Sequence, residues 1–241
     1  MTEWIKDIIK RIPGARWAAD KLGLIERPKN VPQGEAGVRQ VGHRNYVGGM
    51  WDEIGRLQFN FLVSRGLLPH HYLCDVACGS LRAGIHLIPY LEKGHYLGID
   101  KERMLIDEGM TKELGEELYR SKEPQFVVSS EFEFAKFSAH PDFVWAQSLF
   151  THLPPRHIEK CLKNLRDWIS PNGVFYATFF ETTTEMANPH EPHDHEGFSY
   201  TKQQMEEFGQ RCGWVAEYIG DWNHPRNQVM VKYTPQAGQS I

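Results

Sequence analysis

A chain of 241 residues, 41% apolar and 24% charged, can bury one substantial core, which excludes a disordered or fibrous protein. The formal net charge of −4 offers no general attraction for a polyanion and argues against nucleic acid as a partner. No apolar run reaches the length of a membrane span and no signal-peptide core opens the sequence, so a cytoplasmic protein is expected.

Residues 1 to 47 read as an N-terminal helical appendage and linker, and residues 48 to 241 as the main domain. The first 29 residues suggest two short helical pieces broken at Pro13-Gly14. Trp4, Ile5, Ile8, Ile9 and Ile12 form an apolar stripe, and the segment carries seven Lys and Arg against four Asp and Glu. Such a stripe in residues 1 to 27 suits a subunit contact in a homo-oligomer, a cleft cover, or an anionic membrane surface. Residues 28 to 47 are rich in Pro, Gly, Gln and Asn without periodicity, and read as linker.

Gly48 to Gly66 has helical spacing at Met50, Trp51, Ile54, Leu57, Phe61 and Leu62. Tyr72 to Ala77 is a short apolar strand. It ends in small residues, Ala77, Cys78, Gly79 and Ser80, where a backbone can turn and expose its N–H groups. Helical spacing resumes from Leu81 with Ile85, Leu87, Ile88 and Leu91. Strand, tight turn and helix is an arrangement that holds an anionic or zwitterionic cofactor. His95 to Ile99 is the next strand, and Asp100 at its end is placed to accept hydrogen bonds from a ribose. Lys101 to Leu118 reads as one amphipathic helix, Gln125 to Ser130 as a third strand and Phe143 to Ser148 as a fourth. A helix opens at Pro154-Pro155. Ser170-Pro171-Asn172-Gly173 is a turn before a fifth strand, Val174 to Phe180. A polar loop with His190, His193 and His195 follows, then a helix capped by Thr201. Val215 to Gly220 and Gln228 to Tyr233 form a closing β-hairpin. Strands alternating with helices imply a parallel doubly wound sheet.

Asp75-x-x-Cys78-Gly79 resembles the first motif of class I S-adenosylmethionine-dependent methyltransferases, usually Asp-x-Gly-x-Gly-x-Gly. Ala77 and Leu81 stand where that pattern has its first and third glycines. From Tyr72 to Tyr233 the remaining features follow in the family's order: Asp100, the segment Asp142 to Ser148, the turn before strand five and the final hairpin. The resemblance implies an α/β, Rossmann-like, mostly parallel seven-stranded sheet with a C-terminal antiparallel hairpin, and S-adenosyl-L-methionine as cofactor. It implies that Asp75, Ala77, Cys78 and Gly79 meet the methionine end and that Asp100 takes the ribose. Lys101 occupies a position often apolar in the family, so Met104 is the candidate for packing on adenine, with Ser130 or Glu131 near its edge. Gln147 and Ser148 end the fourth strand, where cofactor and substrate meet.

Methyl transfer is an in-line displacement in which the enzyme aligns the partners and excludes water. A hydroxyl acceptor is helped by a general base, for which His152 and His224 are the candidates. The expected acceptor is a small molecule, a sugar or secondary-metabolite hydroxyl. A nitrogen or carbon acceptor and a catalytically silent binding module are the alternatives. His190, His193 and His195 fit no standard metal spacing and read as a substrate loop, so no metal is expected. Cys74, Cys78, Cys161 and Cys212 read as buried free thiols.

Overall fold

The computed structural model describes residues 30–236, so the segment expected at residues 1 to 27 lies outside the described residues. The chain divides into Met1–Pro32 and the larger compact unit Gln33–Ile241, and it is the larger unit that is described here. Its central sheet runs β3 (Gln125–Val128), β2 (Tyr96–Asp100), β1 (Leu73–Val76), β4 (Phe143–Ala146), β5 (Val174–Glu181), β8 (Gln228–Pro235) and β7 (Trp214–Asp221). The first five strands pair in parallel. The last two are antiparallel, to β5 and to each other, so the hairpin closes the sheet. An eighth strand, β6 (Ser199–Tyr200), pairs in parallel with Phe180 and Glu181 of β5 and extends the seven-stranded expectation. At two residues it is too short to show a period in sequence.

Alternation along the strands divides the core into two layers. Cys74, Val76, Val144, Ala146, Phe175 and Ala177 pack toward α7 (Pro155–Arg166) and α8 (Lys202–Arg211). Leu73, Phe143, Trp145 and Tyr176 pack toward α3 (Trp51–Ser64) and α4 (Gly84–Tyr90). Trp145 is fully buried and its indole N–H donates to Gln58 of α3 at 2.7 Å, which satisfies the one polar atom it brings into the core. α8 begins with the expected Thr201 in a capping box, its hydroxyl accepting from the Gln204 N–H at 3.1 Å. All four cysteines are buried free thiols.

Three stretches depart from the sequence reading. Within the expected linker, Glu35–Val41 (α1) and His43–Tyr46 (α2) are helical. Both are too short for a sequence period, and α2 is held by a tertiary contact: Glu113 accepts from both His43 and Arg44. The single helix expected over Lys101 to Leu118 is three pieces, α5 (Arg103–Glu108), a π-helical segment Gly109–Leu114, and α6 (Glu116–Lys122). Gly109 lies so close to the Ser80 backbone that a Cβ there would sit 2.7 Å from it. Only glycine permits that approach, and Gly115 at φ +82 then breaks the helix. Finally, α4 starts at Gly84 and not at Leu81, because residues 77 to 83 are occupied by the turn.

Candidate active site

The turn after β1 is held by two backbone bonds, with the N–H groups of Ala77 and Cys78 donating to the Ile99 carbonyl at 2.8 and 3.1 Å. Ala77, Gly79 and Leu81 all adopt left-handed backbone conformations, at φ +60, +54 and +66. The backbone therefore keeps the shape that the family's three glycines allow, although two of the residues carry side chains. Each such residue costs on the order of 1–2 kcal/mol. Leu81 offsets its share by filling the core: it is fully buried and packs against Gly84 and Gly109. Ser80, also fully buried, has a hydroxyl with no hydrogen-bond partner in the protein.

Asp100, at the end of β2, faces this turn. Its Oδ2 accepts from the Gly79 N–H and its Oδ1 from the Glu102 N–H, both at 2.8 Å. Burial pushes its pKa up to about 6, and those two N–H donors with the Lys101 charge hold it from rising further. Each oxygen keeps a lone pair for a further donor. Asp75 lies inside β1 and accepts from the Tyr96 hydroxyl at 2.7 Å. Burial lifts its pKa to about 7, opposed by the Tyr96 hydrogen bond and reinforced by the charge of Asp100.

The other expected cofactor contacts are distributed more widely. Lys101 is exposed and paired with Asp194 of the histidine loop. Met104 is half-buried in the first turn of α5, where its N–H donates to Glu102. Ser130 and Glu131 are exposed, and Glu131 forms an ion pair with Lys160 of α7. Asp194 also accepts from the Tyr46 hydroxyl and, at 3.0 Å, from the Gly34 N–H. The segment from Gly34 to Gly49 is thereby fastened near the cofactor turn, and a Cβ on Gly79 would meet Val47 at 3.1 Å. Neither Tyr46 nor Asp194 is advertised by a motif.

A buried polar network fills the carboxyl end of β4. Ser148 has φ +61, and its N–H donates to Thr178 Oγ1 of β5 at 2.8 Å. Gln147 donates to Ser148 Oγ at 2.6 Å and to Gln228 Oε1 at 3.3 Å, and accepts from Arg82 Nη2 at 2.6 Å. His224 lies in this network, its Nδ1 accepting from the Arg226 N–H at 3.3 Å and its ring stacked on Trp222. Burial, then the charges of Arg82 and Arg226, lower its pKa to about 3. His152 ends a short 3₁₀ turn beyond β4, with Nδ1 3.0 Å from the Glu196 carbonyl. That contact requires the proton on Nδ1 and leaves Nε2 as the basic nitrogen. Burial lowers the pKa of His152 too, against the opposing pull of its backbone contacts at Glu196 and His193. The structure thus separates the two histidines, His224 inside the network and His152 beside the histidine loop.

In that loop His193 Nδ1 accepts from the N–H groups of His195 and Glu196. Among the described residues no group of three or more His, Cys, Asp or Glu could hold a metal ion, and no helix is long and apolar enough to cross a membrane.

A positively charged, ribose-bearing zwitterion suits this site. The turn leaves Ser80 Oγ without a partner, Gly79 shows no side chain, and Asp100 retains acceptor capacity on both oxygens. Residues 74–175 match the family model described as a methyltransferase domain. The fold is similar to that of magnesium protoporphyrin IX methyltransferase (ChlM) from Synechocystis, solved with bound S-adenosylmethionine. That likeness has 16% identity, covers 97% of this chain and 96% of the other, and gives a TM-score of 0.56. The CcbJ methyltransferase from Streptomyces caelestis is similar at 13% identity over 79% of this chain and 92% of that one, with a TM-score of 0.60. An S-adenosylmethionine-dependent methyltransferase from Clostridium acetobutylicum matches at 9% identity over 83% and 98%, with a TM-score of 0.58. Residues 74–175 thus carry a methyltransferase domain, and the fold is that of class I S-adenosylmethionine-dependent methyltransferases.

Proposed function

We propose that this methyltransferase acts on a hydroxyl group of a small molecule, with His152 as the general base. The observation that carries the reading is the contact of His152 Nδ1 with the Glu196 carbonyl, which puts the lone pair of the neutral ring on Nε2. Its lowered pKa keeps the ring neutral at physiological pH, the form a base requires. His224 is the weaker candidate, because a nitrogen titrating near pH 3 has little affinity for an alcohol proton.

S-adenosylmethionine supplies an electrophilic methyl on a sulfonium. The chain's residues do the rest. Asp100 and the N–H of Gly79 fix the ribose side, and the turn at Ala77 to Ser80 receives the methionine end. The segment Gly34 to Gly49 excludes water, and His152 takes the acceptor's proton. Among the similar structures, the name of the Synechocystis enzyme, magnesium protoporphyrin IX methyltransferase, fits a small-molecule acceptor. The acidic net charge fits the same class.

The test is methyl transfer from the cofactor to a panel of sugars, phenols and secondary alcohols, with amines included and products located by mass spectrometry. His152→Gln should lower turnover by about a hundredfold or more while binding of S-adenosylhomocysteine stays near wild type. A folded variant that keeps most of its activity, or methylation confined to nitrogen or carbon, would overturn the reading.

A further inference from the structure

Arg82 is the least explained charge in the molecule. It follows the cofactor turn, is 8% exposed, and had no part in the motif that pointed to the cofactor. A guanidinium has five N–H donors in a fixed plane. Both Nη1 protons are used, on the carbonyls of Val47 and Gly49 at 3.1 and 3.0 Å. One Nη2 proton goes to Gln147. The buried Nε has no hydrogen-bond partner in the protein. Nε and Nη2 lie on the same edge of the guanidinium, and that edge is the fork on which arginine takes a carboxylate or phosphate with two parallel bonds.

Charge leads to the same place. The groups that accept from Arg82 are two carbonyls and an amide, all neutral. Asp75 is near enough to favour the charged form, but its Oδ2 already accepts from Tyr96. A second cation, Arg226, stands close enough to disfavour it, and donates to the Gly48 carbonyl between the two carbonyls that Arg82 holds. A Cβ on Gly48 would sit 2.6 Å from Arg226, so the glycine admits that arginine. Two guanidinium groups and the neutral ring of His224 therefore converge at the carboxyl ends of β1 and β4, where open α/β sheets receive their ligands. Burying the Arg82 guanidinium among neutral acceptors is unfavourable unless an anion joins it.

We infer that the Nε–Nη2 edge of Arg82, seconded by the charge of Arg226, is a binding site for an oxyanion. The anion is a carboxylate, phosphate or sulfate, carried either by the methionine end of the cofactor or by the acceptor. Only the identity of that carrier rests on the methyltransferase function; the site itself does not.

Sulfate serves as the probe. Wild-type protein should show a saturable rise in melting temperature with sodium sulfate beyond that of sodium chloride at equal ionic strength, and Arg82→Gln should lose it. Arg82→Lys, which keeps the charge without the fork, should need several-fold more sulfate and covers the case in which the glutamine variant fails to fold. Calorimetry with S-adenosylhomocysteine and with methylthioadenosine, which lacks the amino-acid carboxylate, then identifies the carrier. If the cofactor supplies the anion, saturating S-adenosylhomocysteine abolishes the sulfate effect. Arg82→Gln then weakens that ligand tenfold or more and leaves methylthioadenosine unchanged. If the acceptor supplies it, the sulfate effect persists on the loaded protein. No sulfate effect in the wild type, or a lower melting temperature in Arg82→Gln with sulfate response and ligand ratio intact, would leave Arg82 a structural clamp and overturn the inference. A wild type that binds neither nucleoside yet keeps an Arg82-dependent sulfate response would refute cofactor binding and not this site.

Discussion

Asp100→Asn tests the carboxylate proposed to hold the ribose. The group is 7% exposed, and its two oxygens each accept one backbone N–H at 2.8 Å, from Gly79 and Glu102. The remaining lone pair on each oxygen is available to one ribose hydroxyl, giving two charge-assisted hydrogen bonds. Asparagine removes the charge and turns one oxygen into a donor that faces a backbone donor. Losing both bonds should cost about 2–4 kcal/mol of binding, a rise in Kd of roughly 30- to 1000-fold. Isothermal calorimetry with S-adenosylhomocysteine and with methylthioadenosine should show similar losses, because both carry the ribose. The pH dependence is a second reading of the same group. Its folded pKa, raised by burial to about 6, means that below that pH a proton must leave before the carboxylate accepts a hydroxyl. Wild-type affinity should therefore fall by up to about tenfold per pH unit below about pH 6, and the variant should lack that step. A folded variant that binds within twofold of wild type, or wild-type affinity level from about pH 7 to about pH 5, would refute the assignment.

Leu81→Gly relieves a left-handed φ but empties a fully buried site, and the second effect is larger, so a net loss of about 2–4 kcal/mol is expected in urea unfolding. Equal or greater stability would show that strain dominates this turn. Asp75 has a folded pKa raised to about 7, so the native state holds its proton where the unfolded chain has released it. Its contribution is complete at acid pH and is lost as pH rises between about 4 and about 7. Asp75→Asn should flatten the stability profile there by up to about 1.4 kcal/mol per pH unit, and an unchanged slope would count against the burial of that carboxyl.

Much of this molecule is legible from residue types. The strand, turn and helix around Asp75 to Leu91 show because apolar runs and small residues change period within a few positions. Asp100 shows because an acid closes an apolar strand. What could not be read rests on main-chain groups and distant partners. α1 and α2 span seven and four residues, too few for a hydrophobic period to show, and α2 depends on Glu113, about seventy positions away. The π-helical segment follows from one glycine lying on the Ser80 backbone, which no periodicity encodes. Arg82 gives no signal in the sequence because two of its partners are backbone carbonyls, and a carbonyl has no letter in a sequence. The histidine pair is visible by chemical type, but nothing in the sequence shows that Arg82 and Arg226 lie beside His224.

The fastening of Gly34 to Gly49 also fixes an order of folding. Gly34 bonds to Asp194, 160 positions later, and Gly48 to Arg226, 178 positions later. Contacts of such sequence separation form only after the intervening chain has been organised, since closing so long a loop early has little to offset its entropy. During synthesis Gly34 and Gly48 leave the ribosome 160 and 178 residues ahead of these partners. The segment must wait until the histidine loop and the closing hairpin are made, and so the site is completed by residues translated well before their partners.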